Sequence, residues 1–210
     1  MFERIDMRFW GRTIIQCVGF AVAVWSVLRL PLRHYPTMAV FAVFLGLEIL
    51  MYIVSTVQRP KNISGNGWAW IASLVIAVYP TLTPNLVRYP LHSSVVLVIV
   101  GTGLQYVACI VEIVALWKLN RSFSQVPEAN RLVTTGLYRY VRHPLYTAYF
   151  LGFGGFTLLV NQPLLWLAFV VFVGLEVIRA KAEERVLFDT FAQYETYKRR
   201  TGMFLPRRPA

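Results

Sequence analysis

Apolar residues run along this chain in blocks and do not alternate with polar ones. A helix that crosses a bilayer needs about 20 mostly apolar residues at a rise of 1.5 Å each. Six blocks qualify: Thr13 to Leu28, Thr37 to Val57, Trp68 to Val87, Ser93 to Trp117, Tyr146 to Val160 and Pro163 to Ile178. Only Asn161-Gln162 separates the last two, which predicts a tight helical hairpin. Pro80 and Pro84 interrupt the third block and predict a kink or a partly re-entrant segment. The pattern predicts an all-α, polytopic integral membrane bundle of five to six transmembrane helices.

Composition agrees with this. With 57% hydrophobic and 15% charged residues and a mean hydropathy of +0.53, the 210-residue chain holds more apolar surface than a soluble core of that size buries. The shortage of charge and the wealth of aromatic residues exclude disorder. Cys17 and Cys109 lie in apolar blocks without CxxC spacing, which excludes a disulfide scaffold. A net charge of +11 and a pI near 10.1 would point to nucleic acid in a soluble domain. Here the bases segregate. Of the 21 Lys and Arg residues, eighteen fall on one side of a six-span topology; the other three are Arg29, Arg33 and Arg88. By the positive-inside rule both termini are expected to be cytoplasmic, and the partner to be membrane lipid, not nucleic acid. Ala21-Val22-Ala23 imitates a cleavage site, but the apolar run continues through Leu28, as in a retained anchor.

The composition changes near Trp117 and divides the chain into N-terminal helices (1–117) and a second part (118–210). The second part comprises a polar connection from Lys118 to Arg142, the hairpin, and a charged tail from Arg179 onward. Chemistry is expected there, because a long polar connection in a compact fold usually carries function. From Lys181 to Arg200, Leu187, Phe191 and Tyr194 recur at i, i+4 and i+7. This predicts an amphipathic C-terminal helix on the cytoplasmic side, lying on the leaflet or capping the bundle.

Three groups of residues could carry chemistry. In Arg142-His143-Pro144-Leu145-Tyr146, Pro144 should take the first helical position and hold His143 extended. Free N–H groups at that helix start, beside Arg142, would suit a carboxylate or phosphate, unless both side chains simply face headgroups. Arg179 and Glu183, at i and i+4, share a helix face, with Glu184 adjacent. An idle surface ion pair is the ordinary reading, although the base-before-acid order weakens it. Glu48, Glu112 and Glu176 fall inside predicted spans, with Gln105 on the face of Glu112. They could be packing hydrogen bonds, a substrate pocket, or the proton path of a transporter. The Gly152 to Gly155 run lacks dinucleotide-binding spacing and reads as close helix packing. His34, His92 and His143 have no ligand spacing, so no metal site is expected.

Leu132-Val133-Thr134-Thr135-Gly136-Leu137-Tyr138 is followed by Arg142-His143-Pro144-Leu145-Tyr146, then Asn161-Gln162-Pro163. After these come Glu183-Glu184 with Phe188, Phe191, Tyr194 and Tyr197. This order of motifs, over roughly Arg121 to Pro206, resembles the isoprenylcysteine carboxyl methyltransferase family, within a wider group of membrane phospholipid methyltransferases. The resemblance implies S-adenosylmethionine bound at the cytoplasmic face by Gln125, Leu132, Val133, Tyr138, His143, Pro144, Tyr146, Glu183 and Glu184, and the anion site at Arg142 would suit the cofactor's carboxylate. It also implies a substrate-facing Arg179, with Arg179 and Glu183 catalytic. Family members often carry His where this chain has Asn130 and Gly where it has Ala148.

The resemblance further implies transfer to a lipophilic acceptor, first of all a carboxylate such as that of a prenylated cysteine, with Arg179 as its clamp. A phospholipid amine is the alternative and would need a glutamate base, because an amine is protonated at pH 7. A transporter built on Glu48, Glu112 and Glu176, or a membrane reductase, are the readings from other classes. The oligomeric state is left open.

Overall fold

The computed structural model describes residues 2–30, 38–56, 62–64, 66–86, 93–119, 127–129 and 131–207. These form seven helices: α1 (Phe2–Arg29), α2 (Met38–Thr56), α3 (Gly67–Leu86), α4 (Val95–Leu119), α5 (Pro144–Val160), α6 (Pro163–Thr190) and α7 (Tyr194–Arg200). A single 3₁₀ turn, Gly136–Arg139, precedes α5. Two short strands, β1 (Asn62–Ile63) and β2 (Glu128–Ala129), pair antiparallel with Asn62 opposite Ala129. They clip the α2–α3 connection to the segment that follows α4.

The hairpin forms where Asn161-Gln162 predicts it. Asn161 takes the left-handed conformation (φ 49°) and its N–H donates to the Thr157 carbonyl at 2.7 Å, closing α5, while Pro163 opens α6. Asn tolerates that conformation better than other side-chain-bearing residues. Helix α3 stays helical through Pro80 and Pro84, so the prolines do not end it. The tail differs from expectation. Lys181 to Arg200 is not one amphipathic helix: α6 continues from the apolar block to Thr190, Phe191 is extended, and α7 starts afresh at Tyr194. The extended backbone at Phe191 breaks the face that Leu187 and Tyr194 would have shared.

Among the described residues, Val95–Leu119 and Pro163–Thr190 are long and apolar enough to cross a membrane. That is two, where the hydropathy pattern predicts five to six. The others, including Pro144–Val160 and Met38–Leu47, are shorter apolar stretches. Of these, α5 is short as a whole helix: its 17 residues rise only about 26 Å. On α4, Val96, Ile99, Ile110, Ile113 and Trp117 are exposed, as are Leu167, Val170, Val171 and Ile178 on α6. Apolar bands of this extent on both spanning-length helices suit contact with lipid.

The core joins α2, α3, α5 and α6 through aromatic rings. Phe41 stacks on Phe156 at 4.1 Å between centroids, Tyr79 stacks on Phe172 at 4.5 Å, and Phe153 meets Tyr79 edge-on at 4.9 Å. The closest approach is between α4 and α5. A Cβ added to Gly101 would lie 2.5 Å from the Gly155 carbonyl oxygen, and one added to Gly155 would lie 2.5 Å from that of Gly101. The glycine run thus serves helix packing, as expected. Gly155→Val should force the helices apart and destabilise the fold by about 1–3 kcal/mol or more, seen as a lower unfolding temperature in detergent. Gly103→Ala, where nothing lies within 4 Å, should leave that temperature unchanged or slightly raised.

Candidate functional site

The site is built where the chain enters α5. Gly136 sits at φ 64°, and a Cβ there would lie 2.8 Å from Lys118 Cγ, so only glycine lets the 3₁₀ turn close against the end of α4. His143 takes φ −124° and ψ 63°, outside the helical region but short of the extended one that is expected, with Pro144 at the first helical position.

The segment after α7 folds back over this entry. The N–H groups of Arg142 and His143 donate to the carbonyls of Gly202 (2.8 Å) and Met203 (3.0 Å). The Thr147 hydroxyl donates to Phe204 O at 2.8 Å. The Arg142 guanidinium is engaged too: Nε donates to Glu184 Oε1 at 2.7 Å, and Nη1 to the carbonyls of Lys198 (3.1 Å) and Thr201. At the expected anion site, the Arg142 guanidinium and the N–H groups of Arg142 and His143 are thus already engaged by the tail carbonyls and Glu184.

Glu184 receives Arg142, Lys198 Nζ at 3.1 Å and, at 3.4 Å, His143 Nε2. It is a structural anchor between α6, α7 and the start of α5. Arg142→Met should cost about 2–3 kcal/mol, because it removes a charged hydrogen bond from a nearly buried carboxylate. Lys198→Met, at a half-exposed position, should cost under about 1 kcal/mol. Unfolding in detergent measures both.

Glu183 differs: 30% of its side chain is exposed. Its Oε2 accepts from the Tyr146 hydroxyl at 2.9 Å and lies 3.8 Å from His143 Nδ1. The Tyr146 hydroxyl in turn accepts from Arg179 Nε at 2.8 Å. Arg179, 2% exposed, packs its guanidinium over the Tyr146 ring and places Nη1 3.4 Å from Oε1 of the buried Glu176. The reading of Arg179 and Glu183 as an idle surface pair is therefore corrected. Arg179 is buried, its carboxylate partner is Glu176, and it reaches Glu183 through the tyrosine.

Leu132, Val133, Tyr138, Arg142, His143 and Glu183, all singled out in the sequence, line one hollow of about 40 Å³. Tyr146 and Glu184 stand behind it, and Pro144 is buried at the head of α5. Gln125, Asn130 and the Glu48 side chain lie outside the described residues. Glu112 is buried with Gln105 on α4 and does not line the hollow.

Sequence reasoning missed the part played by α7, whose Tyr194 and Tyr197 complete the lining. Their i, i+3 spacing was the available signal. Burial pushes the phenols of Tyr138, Tyr194 and Tyr197 well above their ordinary range, and for Tyr194 and Tyr197 the nearby Glu183 and Glu184 carboxylates add to this. All three stay protonated at neutral pH, and the Tyr197 hydroxyl donates to Tyr138 O at 2.7 Å. Among the described residues no group of three or more His, Cys, Asp or Glu is placed to hold a metal ion.

The phospholipid methyltransferase family model matches residues 91–194, just under half of the chain. The matched stretch runs from ahead of α4 to the first residue of α7 and takes in the hollow except for Tyr197. It supports a membrane methyltransferase of this superfamily, a broader group than the isoprenylcysteine carboxyl methyltransferases. The chain is also similar to the nickel-cobalt-cadmium resistance protein NccN of Alcaligenes xylosoxydans xylosoxydans, 37% identical over 84 residues. That match spans 38% of this chain and 38% of the relative's length.

Proposed function

We propose that this protein transfers a methyl group from S-adenosylmethionine to a lipophilic acceptor at the membrane, and that the acceptor is a lipid amine. The observation that carries this reading is the position of Glu183. It is the carboxylate among the residues lining the hollow, and it is tied through Tyr146 to a buried, neutralised arginine.

The residues present suit the cofactor's chemistry. Glu183 can face its ammonium or sulfonium charge, the Tyr138, Tyr194 and Tyr197 rings can flank a cation, and Leu132 and Val133 offer apolar surface. Glu184 is less suited, since Arg142 and Lys198 already meet its charge. A hollow of about 40 Å³ holds a water or two, so a ligand of the cofactor's size requires the hollow to widen.

When bound, S-adenosylmethionine supplies an electrophilic methyl group on a positively charged sulfur. An ammonium acceptor must lose a proton before its lone pair can react, and Glu183 is the residue we assign to take that proton. Tyr146 fixes one Glu183 oxygen, and Arg179, held by Glu176, fixes Tyr146.

Transfer to a carboxylate, as of a prenylated cysteine, is the second reading. It is favoured by the buried Arg179 cation, which could clamp such a group, and disfavoured by Glu176, which already meets that charge. Nothing in the placement of Glu112 favours transport over either.

Purified protein in lipid-supplemented detergent, given methyl-labelled S-adenosylmethionine, separates the two. Phosphatidylethanolamine should acquire label that survives alkali, as N-methyl groups do. Alkali-labile label on farnesylcysteine would transfer the assignment to the carboxylate. No label on either acceptor, with the protein folded, would overturn both.

A further inference from the structure

Next to the hollow, with Tyr197 in the wall of both, is an open cleft of about 750 Å³. This lies within the volume range of ligand sites. Arg139 reaches it from the 3₁₀ turn, Arg199 and Arg200 from α7, and Arg207 from the tail, with the side chains of Thr134 and Thr196 between them. Among the described residues no carboxylate lines the cleft.

Only Arg199 of the four has an acidic partner among the described residues. That partner is Glu195, at 3.1 Å on its own helix, and the pair is exposed, so it neutralises little. Arg139 lies 5.9 Å from the Tyr140 ring. Four arginines from three separate elements thus line one concave surface. Such a field repels itself and concentrates anions.

We propose that this cleft is a binding site for a phosphate-bearing anion. Guanidinium forks match phosphate oxygens bidentately, and threonine hydroxyls add donors. The sign of the charge is wrong for a sulfonium or ammonium group, so this site is distinct from the hollow around Glu183. It rests on the cleft alone and holds whether or not the chain transfers methyl groups. A lipid headgroup and a soluble phosphate share this chemistry, and the two are separable by experiment.

The test is calorimetric titration of the full chain in neutral detergent with inorganic phosphate and, separately, with dihexanoyl phosphatidic acid. Wild type is compared with R139Q/R200Q/R207Q, with R200Q alone, and with R185Q, an exposed arginine of α6 outside the cleft. Saturable binding should weaken at least about tenfold in the triple variant and about threefold in R200Q, and stay unchanged in R185Q. R200Q keeps the comparison open should the triple variant fail to fold. Binding of both probes assigns the phosphate group itself, and binding of phosphatidic acid alone assigns a headgroup carried on acyl chains. No saturable binding of either probe, or an equal loss in R185Q, overturns the site.

Discussion

Glu183→Gln should lower methyl transfer by at least about 100-fold, the usual size of a lost general base, and leave the unfolding temperature close to that of the parent. The substitution keeps the side chain's shape, and the amide oxygen can still accept from the Tyr146 hydroxyl, now at 2.9 Å from the carboxylate. What disappears is the negative charge. A partly exposed side chain (30%) can lose that charge without leaving a buried partner stranded, so the effect falls on rate and cofactor affinity. Initial rates and calorimetric cofactor binding on the folded variant are the measurements. An unchanged rate would remove Glu183 from the chemistry.

Arg179→Met should act in the opposite way and cost about 3–5 kcal/mol of stability. Its guanidinium is buried between the Glu176 carboxylate and the Tyr146 hydroxyl. Truncation leaves Glu176 as an unpaired charge at 0% exposure and takes a donor from Tyr146. Because that penalty belongs to the stranded charge, Arg179→Met/Glu176→Gln should recover much of the lost stability while activity stays low. Unfolding in detergent reads the first effect and labelled methyl transfer the second. A neutral single variant would show that the buried pair supports nothing.

The two predictions divide the site into a working carboxylate and its support, a division only partly visible in the sequence. Leu132, Val133, Tyr138, His143 and Glu183 could be named from motif order, and the fold brings them to one hollow. Arg142 lines the same hollow, but its partners within the chain are not legible in the sequence. It pairs with Glu184, 42 residues away, and with the Thr201 carbonyl, 59 residues away. No local pattern specifies pairings at that distance. The buried face of α4, from Gly101 through Gln105, Ala108 and Glu112 to Ala115, was also largely hidden. In a helix that meets lipid on one side and protein on the other, both faces are apolar and hydropathy has no contrast to report.

Features whose physics is local follow from the residues themselves. Proline sterics set His143 and Pro144 at the start of α5, Asn161 in a left-handed turn closes the hairpin, and the glycine run permits close helix contact. Tertiary structure alone decided which charges meet. The return of the tail over α5 takes up Arg142, the packing of α5 near α6 puts Tyr146 between Arg179 and Glu183, and the break at Phe191 turns α7 inward. Electrostatic partnership depends on distance in space and on shared burial, and segments far apart in the chain acquire both only when the helices have packed.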